Sequence, residues 1–391
     1  MQRKSPAALE RILSAAQGQI ECDVVLKNVT YLDVFQCAFK TGDLAWIDGT
    51  IVGIEPGLKG RIEIEGRGKF VVPGFIDAHV HIESSLLIPS HFQNSVLPQG
   101  TTTAICDPHE LANVLGVKGI QYFLDAAATL DLDLRVMLSS CVPATHFETN
   151  GGGNIEAEAL VKLLASPHAL GLAEMMNVPG VLNADAKIIA KLKAFENLPI
   201  DGHCPLVRGQ QLSAYAAAGI TSCHESSEFE EAREKLSKGI AVWIREGSVA
   251  KDLHALSPLL TLATSTSMGF CTDDRNPLDI ALEGHLDFLI RGAIKNGVDA
   301  AVAYRAASWS VARHYGLDRG VSAAQFGRVG AIAPGYRADL VLLDDLATCA
   351  VARVFKSGQD SRELHAASSK NLLAGNTIHA REPEAIELEA L

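Results

Sequence analysis

No Cys-x-x-Cys pair occurs among the eight cysteines of this 391-residue chain. That removes zinc knuckles and thioredoxin-like dithiol sites. The cysteines stand at 22, 37, 106, 141, 204, 223, 271 and 349. Their spacings suggest no disulfide framework, and most read as small buried apolar residues. Long apolar runs are missing too: none approaches the ~18 residues that span a bilayer. The basic N-terminal residues lead into no continuous apolar stretch, so no secretory signal is expected. Positive charge is scarce, with 34 Lys and Arg against 46 Asp and Glu and a net charge of −12. This argues against non-specific nucleic-acid binding, which needs basic residues to neutralise phosphates. Internal repeats and low-complexity segments are absent. The expectation is a cytoplasmic protein with neither nucleic acid nor membrane as partner. The sequence sets no oligomeric state and is compatible with a homo-oligomer.

What remains is ordinary globular material, 48% apolar and 20% charged, enough for one large domain and a smaller one. Residues 6–17 read as a short amphipathic helix. Short strands separated by turn residues follow, and Asp48-Gly49 is a strong hairpin signal. From about 70 to 321, eight short apolar or β-branched runs alternate with helical stretches. The runs are 71–77, 101–106, 134–139, 170–174, 200–203, 220–224, 240–244 and 268–272. Eight strand–helix units in about 250 residues is the rhythm of a (β/α)8 barrel. The β texture returns after Asp318. The predicted class is therefore α/β: a barrel over 73–321, and a small β-sandwich-like domain built from both chain ends, 1–72 and 322–391. The last residues, 378–391, read as a frayed acidic tail.

A barrel places its chemistry at the C-terminal ends of its strands. The first predicted strand ends in Asp77-Ala-His79-Val-His81-Ile-Glu83, and the second in Cys106-Asp107-Pro108-His109-Glu110. The fourth, fifth and sixth end in Glu174, His203 and His224, and the eighth in Asp273-Asp274-Arg275. His79 and His81 are two apart, so on a strand they share a face. Converging imidazoles and carboxylates suit a divalent metal. A lone strand histidine is usually just a packed residue, but four His, one Glu and one Asp at separately predicted strand ends favour a metal site. Cys106, Cys204, Cys223 and Cys271 adjoin these residues. Neighbours on a strand face opposite ways, so they read as packing behind it.

The stretch Val72-Pro-Gly-Phe-Ile-Asp-Ala-His-Val-His, the single histidines of the fifth and sixth strands, the Asp of the eighth and the returning Ala333-Pro-Gly-Tyr-Arg-Ala-Asp-Leu-Val resemble the amidohydrolase superfamily. Within it, His81-Ile-Glu-Ser-Ser, Cys106-Asp-Pro-His-Glu, Ala173-Glu-Met-Met-Asn, Asp201-Gly-His-Cys-Pro, Ile244-Arg-Glu-Gly-Ser and Thr272-Asp-Asp-Arg are similar to the bacterial-type adenine deaminase family. The resemblance implies two divalent ions, of Mn, Fe(II) or Zn. His79, His81 and Asp273 would bind one and His203 and His224 the other, with Glu174 bridging them. It further implies a small purine substrate and hydrolytic deamination of adenine to hypoxanthine and ammonia. A bound ion would lower the pKa of water towards 7, and the resulting hydroxide would attack C6. Asp273 would move the proton.

Around this set, Glu83 reads either as a catalytic carboxylate on a substrate or proton path, or as one that orients a His. Asp107, His109 and Glu110 read as lining the substrate site or holding a further metal, against a loop network. Asp274 and Arg275 read as substrate-side residues. Arg245 reads as the partner of an acidic site residue or as part of a structural ion pair. Deaminases of this type usually carry a further C-terminal domain, and the segment after Gly358 does not resemble its beginning, so the chain reads as a short or truncated member or as a diverged one. Two other readings stay open: an amidohydrolase acting on a different cyclic amidine or amide, and an inactive metal-binding paralogue. The intact ligand set argues against the last.

Overall fold

The computed structural model describes residues 5–144, 151–319 and 325–364. The first element is a helix, Pro6–Ala16. Ser5 caps it by accepting the Ala8 N–H, and Pro6 fits the first turn, where no backbone donor is needed. Through Ala15 the helix joins a small apolar cluster that includes Cys22, Val25, Ala45 and Ile47.

The chain ends build one mixed sheet. Strands β1 (Cys22–Asp33), β2 (Ala38–Ile47) and β3 (Thr50–Gly53) are antiparallel neighbours. The β2–β3 turn is Asp48-Gly49, with φ of 48° and 68°, the left-handed pair that a tight hairpin turn requires. Strands β4 (Gly60–Glu65) and β5 (Phe70–Pro73) both run parallel to β1. The sandwich-like layers expected from the sequence are continuous, hydrogen-bonded through a branch at β1.

The barrel follows as eight parallel strands in chain order: β6 (Phe75–Val80), β7 (Thr101–Cys106), β8 (Asp133–Leu138), β9 (Ala169–Met175), β10 (Ile200–Gly202), β11 (Ser222–Cys223), β12 (Ala241–Arg245) and β13 (Met268–Cys271). Every residue of β7 and β8 is buried, as expected for parallel strands covered on both faces. The helical stretches expected between the runs are represented by helices such as Ala157–Leu163, Ala186–Ala194 and Phe229–Ser237. Pairing between the ends of β6 and β13 closes the ring. The Asp273 N–H donates to the His79 carbonyl and the His81 N–H donates to the Asp273 carbonyl, each at 3.0 Å. Strands β14 (Leu340–Asp345), β15 (Ala350–Lys356) and β16 (Gln359–Asp360) then return to the first sheet, with β14 antiparallel to β5. Among the described residues, no helix is long and apolar enough to cross a membrane. The tail at 378–391 lies outside the described residues.

One expectation changes. The run 71–77 is not a single barrel strand. It divides at Gly74, with β5 in the mixed sheet and β6 in the barrel. Pro73 has no N–H to continue a ladder. A Cβ on Gly74 would lie 2.2 Å from Thr102 Oγ1 and 2.9 Å from Thr102 Cβ, so only glycine fits the crossing.

The two bodies are pinned together beside this crossing. Arg337 donates to Asp133 Oδ2 on β8 at 2.8 Å and to Asp339 Oδ2 at 2.5 Å, and Lys356 reaches Asp339 Oδ2 at 2.8 Å. All four are buried. Burial opposes the charge of Asp133 and Asp339, but Arg135, with Arg337 and Lys356, holds Asp133 below the usual range, and Arg337 and Lys356 hold Asp339 there. Removing one partner of a buried network leaves uncompensated charge. Arg337→Ala is expected to lower unfolding stability by about 3–5 kcal/mol, read from denaturant midpoints. A change under about 1 kcal/mol would refute this account of the joint.

Candidate metal centre

His79 is the penultimate residue of β6, and His81 follows the strand directly. Alternation turns both rings inward, and their Nε2 atoms lie 2.9 Å apart. Two imidazole nitrogens this close repel unless a proton or a metal cation lies with them. The His81 Nδ1–H donates to the Asp107 carbonyl at 2.9 Å. A carbonyl can only accept, so this bond leaves His81 Nε2 as the atom turned to the cluster. The His79 ring stacks on His224, with centroids 3.9 Å apart.

Glu174, at the end of β9 and 2% exposed, divides its oxygens between two groups. Oε1 lies 3.3 Å from His81 Nε2 and 3.1 Å from His109 Nδ1. Oε2 lies 2.6 Å from His203 Nδ1 and 3.3 Å from His224 Nε2. Asp273 sits just past β13 at φ 56°, a left-handed conformation that Asp tolerates better than most residues and that the two closing hydrogen bonds hold in place. Its Oδ1 lies 3.3 Å from His81 Nε2 and 3.6 Å from His79 Nε2. Three groups of donor atoms result, each spanning no more than 4.8 Å: His79, His224 and Asp273; Glu174, His203 and His224; and His81, Asp107, His109 and Glu174. All six residues expected as ligands are thus brought together, and His109 and Asp107 join them at donor range. Imidazole nitrogen with carboxylate oxygen is a donor set that fits a divalent cation.

The electrostatics point the same way. Burial alone would neutralise Glu174, but hydrogen bonds from His109, His203, His224 and His81 hold its carboxyl well below the usual range. Asp273 is likewise held down by His81, His224 and His79 against burial. Burial, with His224 and His81 nearby, keeps His79 well below the ordinary imidazole value. Burial opposes charge on His224 too, but Glu174, Asp273 and Glu225 lift it to about 9. The ionised carboxylates demand positive charge here, which a proton or a metal ion can meet.

Beside the donor set lies a second polar group. Asp107 accepts from Ser139 Oγ at 2.7 Å and pairs with His109 Nδ1 at 3.0 Å. His109 Nε2 lies 3.0 Å from Glu110 Oε1. Glu83 Oε1 accepts the Leu111 N–H at 3.2 Å. Glu83 Oε2 and Glu110 Oε2 are buried without a hydrogen-bond partner among the described residues. Burial, and then the nearby Glu110, push Glu83 up to about 8.

Asp274 is held by Ser84 at the rim. Arg275 is placed differently from the sequence expectation. It is 1% exposed and donates to the Gly284 carbonyl and Glu283 Oε2 at 2.8 and 2.7 Å, with its guanidinium over the Phe288 ring. None of these bonds reaches the donor set, so Arg275 ties the segment that carries Asp273 and Asp274 to the end of the helix Pro277–Glu283 and to Phe288 of the helix Leu286–Lys295. Cys106, Cys204, Cys223 and Cys271 are buried free thiols outside all three donor groups.

Three participants escaped the sequence reading. Asp77 accepts the Thr272 N–H and hydroxyl and the His79 N–H beneath the cluster. Asp201 lies within 2.9 Å of the Tyr315 hydroxyl and accepts from Ser222 Oγ. Glu225 lies 3.6 Å from His224 Nε2 and 3.9 Å from His203 Nδ1. Strand alternation would turn Glu225 away from the face of His224, but β11 ends at Cys223, so the rule no longer applies there. The only signal was an acidic residue directly after a strand-end histidine.

The amidohydrolase family model matches residues 70–360. An adenine deaminase of Sinorhizobium fredii is 50% identical over 353 residues, covering 90% of this chain and 60% of that protein. Adenine deaminase 1 of Rhizobium meliloti is 48% identical, covering 97% and 66% respectively. An adenine deaminase of Methylobacterium nodulans is 51% identical over 92% of this chain and 62% of its own length. The chain thus spans about 60–66% of the length of these relatives. Among solved structures, an adenine deaminase aligns with a TM-score of 0.63 at 15% identity, covering 87% of this chain and 99% of that one. An N-acetyl-D-glucosamine-6-phosphate deacetylase from Mycobacterium smegmatis aligns with a TM-score of 0.61 at 17% identity, covering 86% and 99%. At such identities these two alignments concern the fold alone.

Glu174 and His224 are each shared by two of the three donor groups, and Glu174 is the carboxylate of the two. Glu174→Ala is expected to weaken binding of divalent metal at least about 10-fold, measured by elemental analysis after dialysis against a graded chelator. Unchanged metal retention would remove Glu174 from the ligand set.

Proposed function

The chain belongs to the amidohydrolase family, and from that premise we propose that it is a metal-dependent hydrolase that deaminates adenine to hypoxanthine and ammonia. The reading assigns it two divalent ions, of Mn, Fe(II) or Zn, since mixed imidazole and carboxylate ligands suit all three. His79, His81 and Asp273 would hold one ion and His203 and His224 the other, with Glu174 shared. When bound, such ions supply a nucleophilic water whose pKa is brought towards 7.

The remaining steps fall to side chains. Asp273, among the imidazoles, would take the proton of the attacking water and pass it towards the ring or the leaving amine. Glu83 and Glu110 would meet the substrate. Adenine is planar and carries N–H donors, and two buried carboxylate oxygens without a hydrogen-bond partner among the described residues, Glu83 Oε2 and Glu110 Oε2, the latter 3.4 Å from His81 Nδ1, suit such donors at little desolvation cost once the ligand is bound. Asp107 and His109 would line the same wall and orient Glu110, and Asp274 would stand at the rim. A free purine base as substrate is in keeping with a role in cytoplasmic purine salvage.

The observation that carries this reading is the buried donor set around Glu174 with carboxylate oxygens beside it that accept no hydrogen bond from the described residues; the identity of about 50% to adenine deaminases supports the choice of purine. Protein loaded with Mn or Fe(II) should release ammonia and hypoxanthine from adenine, and no release under metal-replete conditions would sink the assignment. Asp273→Asn should lower kcat by about 10²–10⁴-fold while the far-ultraviolet dichroism is unchanged. Turnover that survives the change would mean the proton travels by another group.

A further inference from the structure

Arg245, the last residue of β12, is the one guanidinium with hydrogen bonds to the cluster among the described residues. It serves three carboxylates. Its Nε donates to Asp252 Oδ2 at 3.1 Å, and its Nη1 reaches both Glu225 and, at 3.2 Å, Asp273 Oδ2. Glu225 follows β11 and Asp273 follows β13, so a single side chain ties together the strand ends on either side of its own.

The consequence lies in how the carboxylate oxygens are sorted. Asp273 Oδ1 faces His79 and His81, while Oδ2 is taken up by Arg245. The terminal torsion of an aspartate is broad and roughly two-fold, so an unheld carboxylate could turn either oxygen, or both, towards the cluster. On the other side, the same Nη1 holds Glu225, whose Oε1 lies beside His224 and His203. An arginine holds Asp252 through Nε while Nη1 spans Glu225 and Asp273, a fixed spread of donors that the single ammonium of a lysine does not offer.

We propose that Arg245 is a positioning residue for the reaction: it fixes which oxygen of Asp273 faces the reacting centre and holds Glu225 against the His203–His224 pair. This rests on the metal-dependent reading given above. It goes beyond that reading by giving each half of the centre a common anchor that touches neither substrate nor metal. A merely structural ion pair would affect stability alone.

The test combines Arg245→Ala, Arg245→Lys and added guanidinium ion, with Mn²⁺ titrated into chelator-treated protein as the probe. Arg245→Ala is expected to bind Mn²⁺ at least about 10-fold more weakly. At saturating Mn²⁺ its kcat on adenine should fall on the order of 10²-fold, the scale of a misplaced reacting group, with KM held within about threefold. Millimolar guanidinium should restore Mn²⁺ affinity and kcat in Arg245→Ala but not in the wild type, and Arg245→Lys should recover less than guanidinium does. Unchanged Mn²⁺ affinity and kcat in Arg245→Ala would overturn the proposal. So would a loss that guanidinium does not relieve and that follows a fall in melting temperature. Should Arg245→Ala fail to fold, Asp252→Asn keeps the guanidinium and removes its anchor. It is expected to shift Mn²⁺ affinity in the same direction by less, and wild-type behaviour would count against the proposal. If the wild type leaves adenine untouched, the substrate assignment falls, while Mn²⁺ affinity and its rescue by guanidinium still decide the role of Arg245.

Discussion

Two backbone hydrogen bonds govern this molecule: Asp273 N–H to the His79 carbonyl, and His81 N–H to the Asp273 carbonyl. They close the barrel between its first and last strands, and they do so with the residues whose side chains form the donor cluster. Closing the barrel and setting Asp273 opposite His79 and His81 are therefore done by the same residues. Asp273 is held in a left-handed backbone conformation with its Oδ1 towards both rings. Strain of this kind survives only where the surrounding structure over-determines it, and here hydrogen bonds on both sides of the residue do so.

The charge pattern follows from that geometry. Glu174 and Asp273 stay ionised in a buried interior because imidazoles surround them. The same carboxylates then raise His81 and His224 against the effect of burial. Such mutual support is characteristic of a site arranged to hold cations, because without positive charge the desolvation cost of the carboxylates would be uncompensated. Arg245 contributes on the outer side, where it engages the oxygen of Asp273 that the histidines do not use.

The mixed sheet matters to the site through β6. Gly74 turns the chain from β5 directly into β6, and the Arg337–Asp133–Asp339 network locks the sheet to β8 beside that turn. The strand bearing His79 and His81 is thus anchored at both ends, by the sheet below and by the closing pair above. Glu110 and Glu83, by contrast, lie on segments after the strands, where partly satisfied carboxylates leave hydrogen-bonding capacity open at the wall of the site.

By itself the sequence determined the period-2 alternation that puts His79 and His81 on one face, the eight barrel runs and the strand-end positions of Glu174, His203, His224 and Asp273. These are local properties: alternation and strand length depend on neighbours a few residues away. The hairpin at Asp48-Gly49 was legible for the same reason, because its backbone angles need residues that tolerate positive φ. Tertiary structure alone decided the rest. The break at Gly74 follows from the approach of Thr102, which is distant in sequence. Arg275 turned to Glu283 and Phe288 because the two helices that carry them pack against it. Glu225 turned to His224 because β11 is only two residues long and alternation ends with it. The link from Arg245 to both Glu225 and Asp273 exists only because β11, β12 and β13 are adjacent in a closed ring, and no local pattern carries that adjacency: the hydrogen bonds that define it join residues far apart in the chain.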